Sequence, residues 1–100
     1  CTKSRFEGSD LRLKEHLRPL ENATAALRQL RGVHFDWRSG GRSVGLIAQD
    51  VEAVLPAAVT EGPDGWKGIN PTGVIALLVE AVKEQQATID ELRAALPARP

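Results

Sequence analysis

The sequence has almost no cysteine: Cys1 is the single one in 100 residues. One thiol makes no internal disulfide, and it is one ligand where a tetrahedral zinc site takes about four, so a disulfide-stapled fold and a structural zinc site are both excluded. Net charge is missing as well. Lysine plus arginine and aspartate plus glutamate balance at 13 each, which leaves no overall field to hold a nucleic-acid backbone or an anionic bilayer, and neither partner is expected. Long apolar runs are lacking too. Nothing approaches the roughly 20 residues of a membrane span, and the first residues have no apolar stretch of the signal-peptide kind, so the sequence reads as a soluble chain whose address label lies elsewhere. What is present amounts to one small domain. At that size much apolar surface stays exposed unless a partner covers it, which keeps oligomerisation open from the outset.

Residues 1–8, CTKSRFEG, are polar around one large apolar side chain, Phe6, and have no period; they read as an extended lead-in to a domain over 9–100. From Leu11 the apolar positions Leu13, Leu17, Leu20, Ala23, Leu27 and Leu30 step mostly by three or four, the stripe of a helix buried on one side. Pro19 interrupts it, because proline lacks an amide donor and clashes with the preceding turn. The pattern therefore predicts a short helix over 10–18 and a longer one over 20–31, ended by Gly32 as a left-handed cap. In VHFDW the period drops to two, with Val33, Phe35 and Trp37 alternating against His34 and Asp36. RSGGRS is a loop and VGLIA a returning strand, so 33–48 reads as a hairpin. QDVEAVLP is a short helix stopped at Pro56, and AAVTEGPDGWKGI, with its turn at Pro63, Asp64 and Gly65, reads as a second hairpin. Trp37 and Trp66 are expected to be core anchors, since no basic patch accompanies them to make a stacking platform for bases.

The tail is the most regular part. Asn70 followed by Pro71 is a cap followed by proline at the first helical position, and the helix is expected over about 71–96. Ile75, Leu78, Val82, Gln85, Ile89, Leu92 and Leu96 alternate steps of three and four, a heptad seam with one polar member. Glu80, Lys83, Glu84, Asp90, Glu91 and Arg93 crowd the other faces and leave a narrow apolar stripe, which favours a coiled coil over packing on the chain's own domain. Branched residues at three a-like positions with leucine at two d-like ones lean towards two strands, but about three heptads with a glutamine layer leave the number of strands open.

One stretch invites a chemical reading: EGSDLRLKEH, where Ser9 stands after Gly8 and five residues before Lys14. A serine hydroxyl becomes a useful nucleophile when something takes its proton, and a lysine does so only as the neutral amine, which desolvation or nearby positive charge favours. Arg12, Arg18 and a helix start would supply such charge here. Spacing argues the other way, because five residues along a helix turn about 140° apart, so Ser9 must precede the helix or the backbone must bend back. The competing reading makes Ser9 or Asp10 an ordinary N-cap. Elsewhere the chemistry is thinner. His16 and His34 have no helical pairing and Asp36 nears His34 only along a strand, which gives no triad and no metal site. SGGRSVG places its glycines before a strand, not a helix, and is no phosphate cradle.

Four segments in order, SDLRLKEHLRPL, LRGVHFDWR, GLIAQDVEAVLPAAV and ALLVEAVKEQQATIDEL, resemble the C-terminal intramolecular chaperone domain of phage tailspikes and endosialidases, the peptidase S74 family, from Ser9 to Leu96. The resemblance implies a homotrimer that guides folding of the fibre region upstream in its own chain and then cuts itself free with a serine–lysine dyad. Carried onto this chain, Ser9 is the nucleophile, Lys14 the base and Gly8–Ser9 the scissile bond, with Asp10 and Arg12 supporting the dyad. Gly45, Gln49 and Asp50 match a further family motif in a structural role. Two positions depart from the family: His16 stands where asparagine is usual, and Pro71 where an aromatic residue is common.

The expectation is thus an α+β fold, mostly helical, with two short β-hairpins and a C-terminal helix forming a parallel three-stranded coiled coil in a homotrimer. Its trimer interface would be Ile75, Leu78, Val82, Gln85, Ile89, Leu92 and Leu96. Its partners are itself and its own upstream fibre or tailspike region, with no cofactor, metal, nucleic acid or membrane. It would act during assembly, in the bacterial cytoplasm, as a single-turnover self-cleaving peptidase of a phage tail fibre or a bacterial surface fibre. The alternative is a non-cleaving trimerisation cap retained at a fibre tip.

Overall fold

The computed structural model describes residues 8–97, so the lead-in reading of 1–8 lies outside the described residues apart from Gly8. The first element of the described residues is a single 3-10 turn at Leu11–Leu13, followed by irregular chain up to Asn22. Helix α1 is short, Ala23–Leu27. The helix expected over 10–18 is therefore not formed, the one expected over 20–31 is shortened to α1, and Gly32 caps neither. The reason is burial. Leu11, Leu13 and Leu17 face solvent, and a short amphipathic helix needs a surface to pack on before its hydrogen bonds outweigh the cost of nucleating it.

Strands β1, Val33–Asp36, and β2, Arg42–Gly45, form an antiparallel hairpin in which Val33 faces Gly45 and Asp36 faces Arg42. The returning strand thus starts at Arg42, two residues earlier than VGLIA implied. Gly40 and Gly41 make the turn with φ of 110° and 100°, a region that side chains disfavour. Helix α2, Ala48–Val54, runs to the Pro56–Ala58 3-10 turn, as its sequence predicts. Strands β3, Val59–Glu61, and β4, Lys67–Ile69, form the second hairpin, turned at Gly65 with φ of 84°.

Helix α3 spans Pro71–Ala95, and the Asn70 side chain accepts from the Thr72 amide at 3.1 Å, the cap that the Asn–Pro pair announces. It shows two stripes where the sequence suggested one. Val74, Leu77 and Ala81 are buried within the chain, whereas every member of the expected seam is exposed. The core is built on that inner stripe. Ala23, Leu77 and Ala81 form one cluster, and Val51, Ala58 and Val74 the other, with Leu30 and Leu55 packing against both. Gly73 lets α3 approach the Pro56–Ala58 turn: a Cβ there would stand 2.8 Å from that of Ala58. Six apolar residues, chiefly alanine and valine, are all that the described residues bury, a small core for the length of chain it must hold.

Candidate functional site

The arm from Gly8 to Glu21 carries the candidate chemistry. Asp10 caps the 3-10 turn by accepting from the Arg12 amide at 2.9 Å, and the turn closes with the Leu13 amide on the Asp10 carbonyl and the Lys14 amide on that of Leu11. Lys14 leaves the turn in extended conformation. Because Ser9 precedes the turn and Lys14 follows it, the tight winding folds the chain back, and Lys14 Nζ donates to Ser9 Oγ at 2.9 Å. The 140° objection of a regular helix is thereby lifted. The two readings of this stretch turn out to be compatible: Asp10 is the cap, and that leaves the Ser9 hydroxyl free for Lys14.

Asp10 and Arg12 brace the turn rather than the pair. The Arg12 guanidinium donates to both carboxylate oxygens, at 3.1 and 2.8 Å. These bonds, with the Arg12 amide, hold the Asp10 carboxyl below its ordinary range, and Asp10 in turn raises Arg12. Neither side chain is hydrogen-bonded to Ser9 or Lys14, and all four stand exposed on the isolated chain. His16 has φ of 56°, in the left-handed region that asparagine and histidine tolerate better than most residues. Pro71 takes the first position of α3, where its missing amide costs nothing.

The other singled-out residues serve the scaffold. Asp50 receives Arg31 at 2.9 Å, tying α2 to the segment before β1, and Gly45 lies under the Phe35 ring. Gln49 is exposed on α2. His34 and Asp36 lie on the exposed side of β1, and no three metal-ligating side chains converge among the described residues. Trp37 and Trp66 are not core anchors. Both stand largely exposed, Trp37 edge-on to Phe35 at 4.8 Å between ring centres.

One residue was missed from the sequence. Glu84, assigned there to the solvated side of α3, points inward and accepts from the Ala23 amide at 2.8 Å and the Thr24 amide at 3.1 Å. Asn22 enters α1 with a left-handed backbone and makes no side-chain cap, so a carboxylate from a helix some 60 residues away caps α1 instead. Bonds from Thr24, side chain and amide, and from the Ala23 amide lower the Glu84 carboxyl from its ordinary value. A long-range cap of this kind leaves no local sequence signal.

These features define a small α+β module with a serine–lysine turn on an exposed arm and a long helix that is unpaired along one face. The chain belongs to the family of the chaperone of endosialidase, peptidase S74, whose family model matches residues 9–60, beginning at Ser9. It is 40% identical over 99 residues to the long tail fiber protein Gp37 of Enterobacteria phage K3, covering 88% of this chain and 8% of that protein. Its identity to the protein of the same name from Enterobacteria phage T2 is also 40% over 99 residues, covering 88% and 7%. With that of Salmonella phage S16 it is 34% over 97 residues, covering 85% and 13%. The chain thus spans only about a tenth of the length of the fibre proteins it matches.

Proposed function

We propose that this chain is a homotrimeric assembly chaperone for the fibre region upstream of it, and that it releases itself by cutting its own Gly8–Ser9 bond. The observation that carries the proposal is the 2.9 Å contact between Lys14 Nζ and Ser9 Oγ, in a member of a family described as a chaperone and similar to phage long tail fibre proteins. In the reaction, Ser9 Oγ attacks the carbonyl carbon of Gly8 while Lys14, as the neutral amine, takes the hydroxyl proton. The tetrahedral carbon expels the Ser9 nitrogen, to which Lys14 returns the proton, and the resulting Gly8 ester on Ser9 Oγ is hydrolysed by water. A glycine before the nucleophile leaves the carbonyl unshielded, and a single-turnover cut on its own chain needs no substrate pocket. Three copies would pair along Ile75, Leu78, Val82, Gln85, Ile89, Leu92 and Leu96, the stripe that the chain leaves uncovered. Similarity to tail fibre proteins supports a place in a phage tail fibre, with the chaperone acting while the fibre folds in the bacterial cytoplasm.

Ser9→Ala tests the cut. In a chain carrying the upstream fibre, the variant is expected to assemble normally, since Asp10 and not Ser9 caps the turn and the Ser9 hydroxyl is exposed, and to remain uncut on a denaturing gel. Cleavage at the same bond would remove Ser9 as the nucleophile. The second reading, a cap that stays on the fibre, is favoured by the relatives' names, which are those of fibre proteins. Intact mass of the assembled parent protein separates the two: a chain beginning at Ser9 supports release, and an uncut chain supports the cap.

A further inference from the structure

Two apolar surfaces of this chain find no partner within it. The first is the arm: Leu11, Leu13 and Leu17 are 66%, 73% and 65% exposed, although burying a leucine fully is worth about 1.5–3 kcal/mol. The second is a groove of about 660 Å³ lined by Phe35, Trp37, Leu46, Ile47, Trp66 and Ile69. Its charged lining residue, Lys67, is already held by both oxygens of Glu52 at 2.7 and 2.8 Å. Gln49 is the one further polar side chain of the lining, so the groove, mostly rings and aliphatic chains, suits an apolar occupant better than a polyanion or a sugar, which would need several polar partners beside the rings.

Three observations point to a second copy of this chain as the source of that occupant. The chain exposes 9010 Å² at 10.8 kDa, whereas a compact monomer of that mass exposes about 5,500 Å². An excess on the order of 3,000 Å² on each chain is enough for obligate interfaces, which bury about 2,000–5,000 Å² summed over both partners, or about 1,000–2,500 Å² from each. The groove is also continuous with the α3 seam: Leu46 and Ile69 line an adjoining cleft together with Gly45, Pro71, Val74 and Ile75, and Ile75 is the first seam residue. Copies packed along α3 therefore have the groove at the margin of their shared interface. Finally, the arm has the reach. From Lys14, where the chain leaves the 3-10 turn, to its anchor at Leu20, chain at up to about 3.3 Å per residue spans at most roughly 20 Å, enough to reach a neighbour packed alongside.

We propose that the leucine arm of one copy seats in the aromatic groove of a neighbouring copy. This rests on the self-associating reading given above and adds to it how the copies interlock. It also places the Ser9–Lys14 turn, which lies in the arm, against a neighbour and away from bulk water, the setting in which a lysine amine more readily serves as a base.

Trp37 and Trp66 are the two tryptophans of the chain and both line the groove, so intrinsic fluorescence reads its occupancy directly. The intact protein is compared with the triple variant Leu11→Ser, Leu13→Ser, Leu17→Ser, with light scattering on the same samples. The parent is expected to be oligomeric, with blue-shifted emission and slow acrylamide quenching. The triple variant should stay oligomeric through α3 while its emission moves to the red and quenching rises. Unchanged emission in the triple variant gives the groove another occupant. Exposed tryptophans in an assembled parent leave it empty, and shielded tryptophans in a monomeric Ile89→Asp, Leu92→Asp variant put the chain's own arm there. Each of these results overturns the proposal. A parent that is monomeric overturns the self-associating reading itself, and light scattering identifies that case separately. Oxidation of Cys1→Ser, Leu13→Cys, Ile47→Cys provides a second measurement that does not depend on how the triple variant folds: bonds between chains are expected on a non-reducing gel, and their absence overturns the contact.

Discussion

At the scale of single residues, the feature that decides the chemistry is a change of helix type. A regular helix would have set Ser9 and Lys14 on different faces, whereas one 3-10 turn between them brings the hydroxyl and the amine to 2.9 Å. Their presence and spacing were legible in the sequence, and so was Asp10 as one of two candidates for the cap. Their contact was not, because turn type depends on how little this arm packs against. Lysine and arginine are not equivalent at such a position. An amine can lose its proton and then accept one from serine, but a guanidinium stays protonated at any working pH. Lys14→Arg is therefore expected to assemble as the parent does and to leave the Gly8–Ser9 bond intact, read as the absence of the shorter chain on a denaturing gel. Folded Lys14→Arg that cuts at the parental rate would remove Lys14 as the base and turn attention to His16, two residues further on.

At the scale of elements, what the sequence disclosed and what it hid follow from whether the signal was local. Asn70 and Pro71 announce the start of α3, Pro56 stops α2, and the glycines between β1 and β2 and at Gly65 mark turns; each is a property of a few neighbouring residues, and each is found where it was expected. The leucine stripe from Leu11 to Leu30 carries the period of a helix but has a surface to pack on only from Leu20 onward, so just Ala23–Leu27 winds into one. Even that short helix depends on a distant residue. Glu84 supplies the cap that Asn22 does not, and it couples α1 to α3 through a charge. The sign of the pH dependence follows from the lowered Glu84 carboxyl. A depressed folded-state value means that the clasp contributes fully above the ordinary glutamate value of 4.5, and that its contribution is lost as pH falls from there through the folded value. Thermal unfolding across that acid range should show a steeper loss of Tm for the parent than for Glu84→Gln, which keeps the shape but cannot ionise. Equal slopes for the two proteins would mean that the Glu84 clasp contributes nothing to the fold.

At the scale of the whole molecule, α3 joins assembly to the rest of the fold, since one stripe holds the chain's own core and the other is left uncovered. Val74, Leu77 and Ala81 are spent on the interior, so the seam residues can be altered without opening that core. Replacing Ile89 and Leu92 with aspartate would put two charges per chain on the seam beyond the last buried residue of α3. Burying each such charge costs several kcal/mol, so the helices are expected to separate instead. The double variant should run as a monomer by light scattering while keeping its two hairpins and the α1–α3 clasp, read by circular dichroism. Its cleavage is the informative readout. On the isolated chain Ser9 and Lys14 already touch, but both are open to water, whereas desolvation is what favours the neutral amine that can take a serine proton. If association supplies the missing desolvation, the monomer should fail to cut at Gly8–Ser9, and release would be timed to follow assembly, as a chaperone requires if it is not to leave before its client has folded. A monomer that still cuts at the parental rate would show that the pair is competent within one chain, and the coupling of release to assembly would then have to be given up.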